Sequence, residues 1–268
     1  MKIQKLFEKE VKDIDKGTLK RYIIYLKRIP IKTEEELKTI PDDKLVEILN
    51  KQLKETHERS RMMARSAFIK LLLLLNKENL KLRLLKPRKI PRKILKKWLE
   101  FNTIKKIVDS CDDLTLKLII MLQYDTCTRI SAVLGISLED IIDFKKVVVF
   151  EKKVARGRTV SLSKKTQELL KEYVEKNNIK KGKLFKNPYI TIYKKQKKLF
   201  KDVLGDKGEQ VSSHWFRASR AVHLFQHGFD IETIKRQGDW DSADSLLTYL
   251  RESGVELEKI MKKAEPEW

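Results

Sequence analysis

The chain has 268 residues, 60 of them Lys or Arg against 38 Asp or Glu, for a net charge of +22. Such a positive field points to a polyanionic partner, and 37% charged residues with only 9 Gly and 6 Pro fit a mostly helical chain of short loops. The longest apolar runs, such as 71–75 in "IKLLLLLNKENL", are far too short to span a bilayer. The start lacks the apolar stretch and cleavage site of a secretory signal, and two cysteines, Cys111 and Cys127, rule out a disulfide framework and leave little for a thiolate zinc module. An intracellular, two-domain protein with buried thiols is expected.

In chain order, "TLKRYIIYL" at 18–26 places Leu19, Ile23 and Leu26 on one helical stripe, and "DDKLVEILNKQL" repeats the pattern behind an Asp cap. A helix over 58–76, "ERSRMMARSAFIKLLLLL" and onward, is basic first and apolar later. That division suits a helix whose start, with Arg61 and Arg65, meets nucleic acid while its end packs inside; a solvated basic face is the alternative. Next, "KLRLLKPRKIPRKILKKWLE" at 81–100 holds nine basic residues, one acidic residue and two prolines. The composition reads as a linker over 81–98 lying along phosphates, with Lys86, Arg88, Lys89 and Arg92 as contacts; a nuclear-localisation-like signal is the rival reading.

Beyond it, helices are expected through 99–140, with Leu118, Ile119, Met121 and Leu122 marking a buried one. The β-rich runs 147–150 and 159–162 flank a basic turn and predict a hairpin. "KKTQELLKEYV" and "LFKNPYITIYKKQKKLFKDVLG" return to helical spacing. The fold class expected is mostly α with a small antiparallel β-hairpin or sheet, in two domains.

The segment from 214, "HWFRASRAVHLFQHGFDIETIKRQGDWDSADSLLTY", places His214 and Arg217 one helical turn apart, then a Gly-x-Trp ending at Trp240, then Tyr249 nine residues later. Upstream, "TCTRISAVLGI" carries Arg129, and "KKVARGRTVSL" carries Lys153 in the hairpin turn, with Lys152 as its rival. Each of these residues alone is better read as packing or a surface charge. Together, in this order, they resemble the tyrosine recombinases, the phage-integrase family, whose boxes read T-G-x-R-[IV]-S/A-E-x-x-G-L, G-K-G-x-K-x-R-x-V-P-L, H-x-x-R, Gly-x-His/Trp and Tyr. The resemblance covers about 99–250 in detail, and the amino-terminal part in general character only.

The resemblance implies a helical DNA-binding domain at 1–80, the basic linker at 81–98, a catalytic domain at 99–252 and a tail helix at 253–268. It also implies a site-specific DNA recombinase needing no metal, cofactor or ATP. Arg129, Arg217 and Trp240 would bind the scissile phosphate, Tyr249 would be the nucleophile, His214 its base and Lys153 the acid on the leaving 5′ oxygen. Forked guanidinium donors suit the equatorial oxygens of an in-line displacement. Two departures stand out: Ala132 occupies the place of the usual acid, and Trp240 stands where many members have His.

The remaining histidines, His57, His223 and His227, suggest no metal cluster, and His227 is expected to end a helix before Gly228. After Tyr249, Leu257, Ile260, Met261 and Ala264 form an apolar stripe. In the family such a tail docks on a neighbouring protomer and links four subunits on two duplexes; packing on its own domain is the alternative. Expected partners are double-stranded DNA with a specific attachment site and further copies of this chain. A type IB topoisomerase-like enzyme and an inactive architectural DNA-binding protein are the competing functions. The short chain and Ala132 lean toward a viral or plasmid integrase, archaeal in source.

Overall fold

The computed structural model describes residues 2–87, 97–150, 157–240 and 242–252. The chain divides into two units, Met1–Lys93 and Ile94–Trp268.

The first unit holds α1 (Ile3–Glu10), α2 (Lys16–Leu26), α3 (Glu34–Thr39), α4 (Asp42–Glu55) and α5 (Glu58–Leu74). Helix α2 starts behind Asp15, whose carboxylate accepts the N–H groups of Gly17 and Thr18, and α3 behind Thr33, which accepts from Glu36. The Asp cap expected for α4 is not what forms. Pro41 is the N-cap, while Asp42 and Asp43 are the first helical residues, where their charge faces the positive end of the helix. Phe7, Leu26, Leu37, Leu49, Phe68 and Leu71 are fully enclosed. Of the stripe expected on α2, Ile23 and Leu26 are buried and Leu19 is partly so.

A 3-10 turn at Glu78–Arg83 closes this unit, with Leu80 and Leu84 buried in its core. Asn50 ties it down: its amide donates to the Arg83 carbonyl at 3.0 Å and accepts from the Leu85 N–H at 2.7 Å. The start of the segment expected as a linker is therefore packed on its own unit. Arg88, Lys89 and Arg92 lie outside the described residues.

The second unit follows the order α6 (Phe101–Asp109), α7 (Leu114–Thr126), α8 (Ile130–Val133), β1 (Ile141–Ile142), β2 (Lys146–Phe150), β3 (Gly157–Ser161), α9 (Lys164–Lys176), α10 (Tyr189–Leu204), α11 (Asp206–Gln210), α12 (Ser213–Gln226), α13 (Ile231–Gly238) and α14 (Ala243–Glu252). Helix α7 is apolar on nearly every face, so it sits inside the unit, with Leu118, Ile119, Ile120 and Leu122 fully buried and Met121 partly so. The strands form an antiparallel sheet in the order β1-β2-β3, with Val147 opposite Val160 and Val149 opposite Arg158. Val147, Val149 and Val160 alternate with half-buried or exposed neighbours and press into the α7 core. The short strand β1 carries no sequence signal of its own.

A second cluster in this unit joins Trp98, Cys127, Ala218, Val222, Ile234, Trp240 and Leu246, and so fastens α13 and α14 to α12. No helix among the described residues is long and apolar enough to cross a membrane.

Candidate active site

Arg129 follows a forced turn. Helix α7 ends at Cys127 in the left-handed conformation, φ 57°, and Arg129 then serves as N-cap of α8. Glycine is the residue that tolerates this backbone best, and the family box has Gly here; a cysteine pays about 1–2 kcal/mol for it. The cysteine's burial supplies compensation: its thiol donates to the Arg217 carbonyl at 3.3 Å, and burial pushes its pKa up to about 11, so it stays protonated. Cys111 is also buried and unbridged.

Arg129 is exposed and lines an open cavity of about 920 Å³ together with His214, which is exposed in the first turn of α12. Lys183, Lys186, Tyr189 and Tyr193 also line it, and the two tyrosine rings are stacked with centroids 6.0 Å apart. The loop bearing the lysines is pinned near Arg129's helix by backbone bonds: Leu184 N–H to Ile136 O at 3.0 Å and Leu138 N–H to Gly182 O at 2.8 Å.

One turn after His214, Arg217 points inward and is 1% exposed. Its Nη1 donates to the Cys127 carbonyl at 2.8 Å, and its guanidinium lies 4.1 Å from the centroid of the Trp240 ring. Cation–π stacking and a charge-assisted hydrogen bond thus hold the buried cation in place. Trp240 in turn meets the ring of Tyr249, half-buried on α14, edge to face with centroids 6.4 Å apart. A continuous path therefore runs from the Arg129 turn through Arg217 and Trp240 to Tyr249, and His214 sits on Arg217's own helix.

The Gly in Gly-x-Trp has a steric reason. A Cβ on Gly238 would lie in impossible overlap with Cζ3 of the Trp240 ring. Gly238→Ala is expected to displace the indole from Arg217 and cost about 1–3 kcal/mol of stability as an overpacking change, which thermal unfolding checks.

Arg158, used in the sequence only to align the hairpin box, joins the two turns that carry the site. Its Nε donates to Gln237 O at 3.0 Å and its Nη2 to Thr126 O at 3.2 Å, while the Gln237 amide donates to Asp125 O at 3.1 Å. The ends of α7 and α13, which lead to Arg129 and Trp240, are clamped by these two side chains. The place of Arg158 in the motif was the available signal; its two acceptors were not readable. Lys152 and Lys153, in the hairpin turn, lie outside the described residues.

Ala132 is buried in the α7 core, so the position of the family's usual acid is filled by apolar packing. The other histidines serve the fold. His57 caps α5 by accepting from Arg59 N–H. His227 caps the end of α12, its Nδ1 lying 2.7 Å from His223 O. His223 is enclosed beside Trp98 and Phe101, 2.8 Å from the Tyr124 hydroxyl, and burial lowers its pKa to about 4, so it is neutral. No group of three or more His, Cys, Asp or Glu is gathered as a metal site among the described residues.

In the first unit, Arg61 spends its donors on the end of α4, binding the carbonyls of Leu53 at 2.8 Å and Thr56 at 3.3 Å. Arg65 donates to Lys81 O at 3.1 Å. Lys86 is exposed.

The phage integrase family model matches residues 97–254. Tyrosine recombinase XerA of Pyrococcus horikoshii is 27% identical over 195 residues, covering 67% of this chain and 65% of that protein, so the chain spans less than two thirds of that relative's length. Among solved structures, XerH recombinase bound to its difH substrate superposes with a TM-score of 0.65 at 20% identity, covering 93% of this chain and 78% of that one. A lambda integrase tetramer bound to a Holliday junction gives 0.64 at 15% identity, over 94% and 77%. These likenesses show a mostly helical, two-domain fold with a small antiparallel sheet, and the family model takes in more than half of the residues: the chain belongs to the phage integrase family.

Proposed function

We propose that this chain is a site-specific DNA recombinase that cuts and rejoins strands through a 3′-phosphotyrosine. The observation that carries the reading is the contact path from Cys127 O through Arg217 and Trp240 to Tyr249, beside a cavity lined by Arg129 and His214. The cavity offers one guanidinium and a candidate base, and the contact path, sharing α12 with that base, offers a second, buried guanidinium and leads to a phenol.

In this reading the scissile phosphate enters the cavity, and Arg129 and Arg217 take its non-bridging oxygens. The Trp240 indole N–H is a further donor. A phenol has an ordinary pKa of about 10, so Tyr249 needs help to attack at neutral pH. His214 takes the phenol proton as the Tyr249 oxygen bonds to phosphorus in line with the departing 5′ oxygen. The bond from phosphorus to that oxygen breaks, and Lys153, assigned by the motif, gives it a proton. The products are a 3′-phosphotyrosine and a free 5′ hydroxyl. Because the ester replaces one phosphate ester by another, a 5′ hydroxyl from a second strand reverses the step without an energy source. Lys183, Lys186 and the stacked Tyr189–Tyr193 pair lie where the strand flanking the scissile phosphate would run, with cations for its phosphates.

Strand exchange between two duplexes needs several active sites, so self-association on DNA, as a tetramer, belongs to the same proposal. The tail after Gly254, outside the described residues, is the segment proposed to dock on a neighbour. Deleting it is expected to weaken assembly more than single-site cleavage, as measured by gel-shift stoichiometry beside cleavage; equal loss of both, or of neither, counts against it. Arg61, Arg65, Lys86, Arg88, Lys89 and Arg92 remain the proposed DNA contacts of the first unit. Arg61 and Arg65 would then act while capping their own fold.

The test is trapping: protein in EDTA with nicked duplexes drawn from a library of candidate attachment sites. A denaturation-resistant protein–DNA complex supports the recombinase. DNA binding without such a complex would favour an architectural role.

A further inference from the structure

Helices α7, α10 and α12 contribute to a buried polar spot beside the apolar core. Gln123 on α7 and Gln196 on α10 are each 1% exposed. The Gln196 amide donates to Gln123 Oε1 at 3.0 Å, and the Gln123 amide donates to the carbonyl of Ser213 at 3.3 Å. Chemistry fixes the direction of this relay. A carbonyl accepts only, so Gln123 must turn its NH₂ to Ser213 and its oxygen to Gln196, which must answer with NH₂. The Gln196 oxygen is then left buried without a hydrogen-bond partner among the described residues. For filling space, two apolar side chains would serve without that cost.

Where the relay ends says what it does. Ser213 is the first residue of α12, His214 is the next, and in helical register the Ser213 carbonyl receives the Arg217 N–H. Four residues further along α7, the Cys127 carbonyl takes the Arg217 guanidinium at 2.8 Å. Gln123 to Ser213 and Cys127 to Arg217 are thus two rungs, one turn apart on both helices. Together they set the depth and rotation of the turn that carries His214 and Arg217.

We propose that Gln123, backed by Gln196, is a positioning residue for His214 and Arg217: the amide relay seats the first turn of α12 against α7 so that both side chains meet the reacting groups. This rests on the recombinase reading above. Small displacements of reacting groups are enough to cost orders of magnitude in rate.

The experiment compares wild type, Gln123→Met and Gln123→Met/Gln196→Met for adduct formation on the trapping substrate, DNA affinity and melting temperature. Gln123→Met strands the Gln196 amide and leaves the Ser213 carbonyl with its helical partner alone, and is expected to slow cleavage about ten- to hundredfold with DNA affinity within about twofold. The double variant removes the stranded amide, so its melting temperature is expected to recover towards wild type, yet cleavage stays slow because the Gln123 tie to Ser213 is still missing. The imidazole resonance of His214, one of four histidines, is expected to shift in both. A double variant that recovers cleavage along with stability would overturn the proposal, as would a rate loss fully matched by lost DNA affinity. Should Gln123→Met not fold, the double variant decides alone. A wild type that forms no adduct removes the recombinase reading and this inference with it, an outcome distinct from wild-type cleavage retained in the double variant.

Discussion

Tyr249→Phe is expected to abolish the covalent protein–DNA complex, with cleavage falling on the order of 10⁴-fold or more, as when any covalent nucleophile is deleted. The ring that packs on Trp240 at 6.4 Å is retained. Fold and DNA affinity should therefore be unchanged, and the loss should fall wholly on the chemical step. Parallel measurement of adduct yield, DNA affinity and melting temperature checks this. An adduct that survives the change would assign the attack to another residue.

Arg217→Lys is expected to be nearly as severe and to differ in kind. Lysine keeps the charge but lacks the planar fork, and it cannot at once lie flat on the Trp240 ring and reach Cys127 O. Loss of one preorganised donor to a phosphorane-like transition state costs about 10²- to 10³-fold in rate. Because Arg217 is 1% exposed and holds α12 to the end of α7, stability should fall as well, by about 1–3 kcal/mol for a buried hydrogen bond to a charged group. Arg129→Lys is the control: Arg129 is exposed on the cavity wall, so its loss should slow cleavage with a smaller effect on melting. Single-turnover cleavage beside thermal unfolding separates the two.

Much of this arrangement was legible in the sequence because its elements are set by local periodicity. The stretch with Leu118, Ile119, Met121 and Leu122 reads as a buried helix, and the β-rich runs 147–150 and 159–162 as a hairpin, which α7 and the β2–β3 pair match. His214 and Arg217 had to share a helical turn. What escaped was long-range. The Arg158 bridge from Thr126 to Gln237 joins residues 32 and 79 positions away, and no local pattern announces a partner at that distance. The relay through Gln123 and Gln196 was equally hidden, since an isolated Gln in a helix reads as surface. The Asp cap expected for α4 failed for a local reason: Pro41, with its φ already set, occupied the cap and moved Asp42 into the first turn. Gly238 was visible as part of Gly-x-Trp, but that its missing Cβ makes room for the indole needed coordinates.

The measurement that bears most directly on the recombinase reading is the identity of the covalent bond. The trapped complex would be digested with protease and nuclease, and the nucleotide-bearing peptide sequenced by mass spectrometry, with the chemistry of both DNA ends determined. The account predicts a nucleotide joined through its 3′ phosphate to Tyr249 and a free 5′ hydroxyl on the released strand. A link to any other residue, or a 5′-phosphoryl attachment, would contradict it.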